Sequence, residues 1–144
     1  MQVTSILTNK GQEIFSISPD ATVSELVEVL CERRVGALLV LGSSGDIVGI
    51  VSERDVVRAL GTNPGALANT VAAIMTTDVV TASDQADVAE LMQVMTERRI
   101  RHIPVLDESG ALAGLVSIGD VVKNRMDELE AERSALMDYI TQGG

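Results

Sequence analysis

The chain matches itself at a constant offset of 65 residues, Ser18 to Arg58 lying over Ser83 to Lys123 without a gap. Of the 41 aligned pairs 19 are identical, among them Glu32-Arg33-Arg34 with Glu97-Arg98-Arg99 and Asp55-Val56-Val57 with Asp120-Val121-Val122. A shorter prelude also recurs: Val3-Thr4-Ser5-Ile6-Leu7 resembles Val71-Ala72-Ala73-Ile74-Met75 at an offset of 68, so the first copy carries three extra residues near Gly11-Gln12-Glu13. Two copies are too few for an open solenoid, which buries its core by stacking further units. A pair closes more naturally face to face about a pseudo-two-fold axis, and such closure leaves a symmetric cleft. The expected division is a first repeat with its prelude and linker start over residues 1–65, a second repeat over 66–125, and a C-terminal helical extension over 126–144.

Within each copy the pattern reads helix, strand, strand, helix. Val23, Leu26, Val27 and Leu30 follow the spacing of one helical face, and Val88, Leu91, Met92 and Met95 repeat it. Thr22 with Glu25 makes a capping box at the first start, and Asp87 with Glu90 stands at the second. The short apolar runs Ala37–Leu41 and Ile103–Leu106 suit buried strands. Turns rich in Gly, Ser and Asp follow at Gly42–Asp46 and Asp107–Gly110. Return strands at Ile47–Val51 and Leu112–Val116 each hold a glycine, Gly49 or Gly114, a residue that marks a bulge or the close approach of other atoms. A helix then starts near Asp55 or Asp120. Gly61-Thr62-Asn63-Pro64-Gly65 ends the first copy. From Asp120 to about Ile140 the pattern is one long helix with an apolar stripe of Met126, Leu129, Leu136, Tyr139 and Ile140, which fits a dimer contact.

Composition narrows the function. The net charge of −10, from 21 acidic and 11 basic residues, argues against nucleic acid, which needs basic surface to neutralise phosphates. No apolar run approaches the ~20 residues of a membrane span, and the first residues lack the basic start and apolar stretch of a signal peptide. One cysteine, Cys31, has no internal disulfide partner; in its helical pattern it reads as a small buried hydrophobe, and a reducing cytoplasm is expected. Only Phe15 and Tyr139 are aromatic, so a bound base would be held by aliphatic side chains and backbone.

In this order of elements, with Gly-Ile-Val-Ser-Glu-Arg-Asp (Gly49–Asp55) and Gly-Leu-Val-Ser-Ile-Gly-Asp (Gly114–Asp120) closing the two copies and Arg101-His102-Ile103-Pro104-Val105 ahead of the second, the chain resembles a tandem pair of cystathionine β-synthase (CBS) domains. The resemblance runs from about Val3 to Lys123. It implies a mixed α/β (α+β) fold, two β-α-β-β-α repeats packed about a pseudo-two-fold axis, with the long helix added at the C-terminus. It also implies clefts that take adenosine-containing ligands: AMP, ADP, ATP, and in some members NAD(H) or S-adenosylmethionine.

The repeated Ser-x-x-Asp element, Ser52 to Asp55 and Ser117 to Asp120, sits where a strand runs into a helix. An Asp there can accept hydrogen bonds from both ribose hydroxyls, and a Ser beside a helix N-terminus can donate to phosphate with the help of the helix dipole. The same spacing is also a helix-capping signature, and one element can do both. Sixteen residues before Ser117 stands Arg101, then His102, where the family often places basic residues that reach phosphates. His102 could equally be a strand-edge histidine bonded to backbone. The first copy departs from this pattern, with Gly36 and Ala37 at the matching positions. Its cleft would rely on Arg54, take a less charged ligand, or stand empty, and Arg54 reads equally as a solvated helix-start charge. The resemblance further implies that Ile50 and Leu115 pack on the base, that Val35-Gly36 and Ile100-Arg101 offer backbone, and that the preludes near Gly11–Ile14 and Thr76–Val79 close its edge. Glu32-Arg33-Arg34 and Glu97-Arg98-Arg99 read as solvated helix ends.

Catalysis is not expected. The single His and the single Cys lie about 70 residues apart, no zinc-type cluster or Gly-rich phosphate loop occurs, and no metal is called for. The sequence therefore reads as a small regulatory sensor that binds an adenine nucleotide, signals energy or redox state to a protein partner, and forms a homodimer. The alternative is a ligand-free dimerisation scaffold built on the C-terminal helix.

Overall fold

The computed structural model describes residues 1–10 and 14–143. Gly11-Gln12-Glu13, where the three extra residues of the first copy were placed, lie outside the described residues, and with them most of the Gly11–Ile14 prelude. The elements run α1 (Val3–Lys10), β1 (Ser16–Ile17), α2 (Val23–Arg33), β2 (Ala37–Leu41), β3 (Ile47–Ser52) and α3 (Glu53–Thr62). Two 3₁₀ turns (Ala66–Ala68, Val71–Ala73) follow, and then β4 (Ala82–Ser83), α4 (Val88–Arg98), β5 (His102–Leu106), β6 (Leu112–Ser117) and α5 (Ile118–Gly143). This is the expected mixed α/β architecture, with two three-stranded sheets, β1-β2-β3 and β4-β5-β6.

The two sheets carry one register. In each, a short first strand pairs parallel with the second, and the second pairs antiparallel with the third: Ala37 opposes Ser52 as His102 opposes Ser117. Both ladders slip at the same place, between Val40 and Leu41 and between Val105 and Leu106. The turns that close them place Gly45 and Gly110 at φ 84°, a conformation glycine adopts without steric cost. In the second turn Asp107 accepts from Ser109 Oγ (2.6 Å) and from the Ala111 backbone N–H (3.0 Å). Those bonds, led by the Ser109 hydroxyl, hold its carboxyl below the usual aspartate range.

Two compact units result, and they cut across the order of the repeats. One joins α1 to everything from Thr81 onward, and the other ends at Val80. Each prelude belongs to the unit of the other copy's sheet. The Val3 N–H donates to the Ala86 carbonyl (3.0 Å), and in the other unit the Val71 N–H donates to the Ala21 carbonyl (2.8 Å). The exchange explains the strand glycines. A side chain at Gly49 would come within 2.7 Å of Met75 Sδ and 2.9 Å of the Thr76 carbonyl oxygen, and one at Gly114 within 2.5 Å of Leu7 Cδ2.

The cores repeat as the sequence does. Val23, Leu26, Leu30, Leu38, Val40, Val51 and Val56 form one, closed by Val71 from the linker. Val88, Leu91, Met95, Ile103, Val105, Val116 and Val121 form the other, closed by Val3. Burying each such side chain contributes roughly 1.5–3 kcal/mol before entropy is counted. Cys31 corrects the sequence reading, because it is exposed. It follows Leu30 by one residue, a rotation of about 100° that carries it off the buried stripe of α2. Arg33 is likewise more than a solvated helix end: its guanidinium lies 4.9 Å from the centre of the Phe15 ring, a cation–π contact.

Candidate functional site

Both Ser-x-x-Asp elements fold as helix caps. Ser52 is the N-cap of α3 and accepts from the Asp55 N–H (3.4 Å), while its own N–H donates to Asp55 Oδ2 (2.8 Å). In α5 the Ser117 N–H donates to Asp120 Oδ2 (2.9 Å) and the Asp120 N–H to Ser117 Oγ (3.1 Å). The helices accordingly begin at Glu53 and Ile118, two residues ahead of the aspartates named as their starts, because the serine closes the first turn. Both aspartates are half-buried and held in place. A carboxylate has about four lone-pair sites, so capping through one oxygen does not exhaust it.

The second unit sets basic groups beside its cap. The Arg101 carbonyl accepts from the Ile118 N–H (2.8 Å), which ties the start of β5 to the first turn of α5, and His102 pairs with Ser117 across the sheet. Arg101 is exposed, and its side chain lines a groove of about 560 Å³ with Ile118, Gly119 and Lys123. Ile100 ends the helix turn, its N–H donating to the Met95 carbonyl (3.1 Å), and Leu115 lies in β6 opposite Pro104. Arg101, His102, Ser117 and Asp120 thus share one corner, where strand ends meet a helix N-terminus.

The first unit builds the same corner from other chemistry. The Gly36 carbonyl accepts from the Glu53 N–H (3.0 Å), as Arg101 accepts from Ile118, and Ala37 pairs with Ser52. Val35 and Gly36 line a groove of about 480 Å³ with Cys31, Arg34, Glu53 and Val57. Arg54 is exposed in the first turn of α3. Ile50 in β3 exchanges backbone hydrogen bonds with Thr76, both 2.9 Å, so the linker prelude does reach the residue expected to face a base. The sequence reading overlooked Glu53. It stands where the other unit has Ile118, and its carboxylate lies about where a side chain at position 36 would point, 3.5 Å from a Cβ built there. The signal was available in the 65-residue alignment, which puts an acid opposite an isoleucine. Among the described residues no cluster of His, Cys, Asp and Glu could hold a metal ion.

Comparison with known proteins agrees with the fold. The CBS-domain family pattern matches residues 3–62 and 71–127. The chain belongs to the CBS-domain family. A CBS-domain protein of Agrobacterium tumefaciens superimposes with a TM-score of 0.83 at 38% identity, over 86% of this chain and 92% of that one. A mitochondrial CBS-domain protein of Arabidopsis thaliana is 35% identical over 99% of this chain and 72% of its own length. A CBS-domain protein of Pyrobaculum aerophilum, solved in complex with AMP, aligns with a TM-score of 0.75 at 27% identity, over 83% of this chain and 89% of that one. No helix among the described residues is long and apolar enough to cross a membrane.

Proposed function

We propose that this CBS pair is a regulatory module that binds an adenine nucleotide (AMP, ADP, ATP or NAD(H)) and works by binding rather than by catalysis. One observation carries the reading: the corner that brings Arg101 and His102 to the Ser117–Asp120 cap, with strand ends and a helix N-terminus converging on it. Asp120 accepts the ribose hydroxyls. Ser117, Arg101 and His102 face the phosphates, where the helix dipole favours negative charge. Leu115 packs on the base, and Ile100 supplies backbone. The AMP complex of the Pyrobaculum aerophilum relative supports the ligand class. In the other unit Ser52, Asp55, Ile50, Val35 and Gly36 form the weaker counterpart, which relies on Arg54, with Arg34 on the groove as well and Glu53 opposing an anion. The partners are a second copy of the chain and a regulated protein, met in the reducing cytoplasm. Bound nucleotide acts on them only through its different affinity for the protein's alternative states.

The test is a thermal-shift panel of AMP, ADP, ATP, NAD+, NADH and S-adenosylmethionine. A ligand at about 100 times its dissociation constant stabilises by roughly 2.7 kcal/mol, which moves a domain of this size by several degrees. A selective shift names the ligand. No shift from any of them leaves the dimerisation scaffold as the function.

A further inference from the structure

We propose that the second unit carries a small-molecule site between β4 and α4, separate from the nucleotide corner, that takes a primary amine with a short hydrocarbon body. The site is a hollow of about 380 Å³, within the range of ligand pockets. None of Arg101, His102, Ser117 and Asp120 lines it. Its floor is apolar: Leu91 and Ile103, 2% and 1% exposed, with Ala82, Ala86 and Val94 beside them. The duplication explains why there is room. Ala82 pairs with Val105 as Ile17 pairs with Val40, so the two residues hold the same place in their sheets. In the first unit Ile17 packs its branched butyl side chain on the core. In the second unit a methyl group stands there, and the missing carbons leave a hollow against α4.

The rim sets the class of ligand. Glu90 is the one charged residue of the lining, and it has no ion-pair partner among the described residues. Its carboxylate is not committed to the helix cap: Asp87 accepts from the Ala89 N–H (3.4 Å), and Glu90 contributes only its backbone N–H, to the Asp87 carbonyl (3.0 Å). Gln85 Nε2 donates to Asp84 Oδ1 (3.3 Å), which leaves the carboxamide oxygen as an acceptor. Asp84 and Asp87 flank the lining in sequence, and no Lys or Arg belongs to it. An anion would therefore meet only negative charge. An ammonium ion finds a carboxylate, with the Gln85 oxygen and the hydroxyls of Thr81 and Ser83 to accept its remaining protons. No aromatic ring lines the hollow, so a quaternary ammonium would lack the cage that binds such groups, whereas a primary amine has three protons for these acceptors.

Nuclear magnetic resonance titration of the full chain tests the site, with n-butylamine as the probe and butyrate and butan-1-ol as its anionic and neutral counterparts. The amine should shift the backbone amide signals of Ala82, Ser83, Ala86 and Leu91 saturably, in the millimolar range that so small a molecule allows, and the counterparts should not. Glu90→Gln, which keeps the shape and removes the charge, should weaken amine binding at least about tenfold, the scale of a lost charge-assisted hydrogen bond. Ala82→Ile, which rebuilds the filling of the first unit, should abolish amine binding and leave a titration with AMP unchanged. If Ala82→Ile does not fold, Glu90→Gln alone decides. Equal binding of butyrate or butan-1-ol, no saturable shift at these residues, or amine binding indifferent to either substitution overturns the site.

Discussion

Arg34 and Arg99 end equivalent helices in the same left-handed turn, at φ 56° and 55°, and from there the two strands take the same register and the same slip. Two residues further on the repeats part: one has Gly36 with Glu53 bonded to it, the other Arg101 with Ile118. The left-handed turn is duplicated to within a few degrees of torsion, while the charge at the corner is inverted. The duplicated part is what a core and a cap require. The divergent part is free of that requirement, so it can report ligand chemistry. Under the proposed function the charged ligand belongs to the unit with Arg101, and Glu53 would oppose it in the other unit.

The most severe test removes the two capping aspartates in turn. Each loses the same cap, so Asp55→Ala and Asp120→Ala should cost similar stability, about 0.5–2 kcal/mol in a thermal melt. Only Asp120→Ala should also weaken nucleotide binding, by about 1–3 kcal/mol in calorimetry, the scale of a lost charge-assisted hydrogen bond. Unchanged affinity in a folded Asp120→Ala chain would remove the ribose role and leave both aspartates as caps.

A second comparison concerns packing. In Gly49→Ala the new methyl group meets Met75 Sδ at 2.7 Å and the Thr76 carbonyl oxygen at 2.9 Å, and Thr76 is held by its bonds to Ile50. Relief would have to break that bridge, so a loss of about 2 kcal/mol is expected. In Gly114→Ala the obstacle is Leu7 Cδ2 at 2.5 Å, the far end of a side chain that can rotate. That loss should stay near the low end of overpacking, about 1 kcal/mol. Urea melts of the two variants rank them, and a reversed order would mean that the two preludes are not held as the hydrogen bonds indicate.

These contrasts also show what the sequence made legible. The duplication exposed both cores, because burial at Leu26 and Leu91, or Val51 and Val116, follows from periodicity that a sequence displays directly. The caps were legible for the same reason: Ser52 bonds Asp55 three residues away. The exchange of preludes was not legible. Val3 finds Ala86 through a backbone bond 83 residues distant, and nothing in the local pattern distinguishes that from a bond to its own repeat. Cys31 was misjudged because its neighbours are apolar, while its position around α2 decides its exposure. The binding role proposed for Arg101 and Asp120 rests on family likeness, since spacing alone is equally satisfied by capping. Glu53 needed the alignment to be read for charge as well as for identity.

The gentlest test rebuilds one corner in the image of the other. Gly36 is not in the left-handed region, and a Cβ there would make only ordinary contact with Glu53 Oε1 at 3.5 Å, so a side chain fits. Arginine alone would be neutralised by the neighbouring carboxylate, which makes Gly36→Arg by itself close to silent. The paired change Gly36→Arg with Glu53→Ile reproduces the chemistry of Arg101 and Ile118 on a backbone that already matches. It should add or strengthen a nucleotide site that uses Asp55 by about tenfold, equivalent to about 1.4 kcal/mol. A matched titration with adenosine should show little gain, because the added cation acts on phosphate. If adenosine gains as much as AMP, the inverted charge at this corner is not what separates the two repeats.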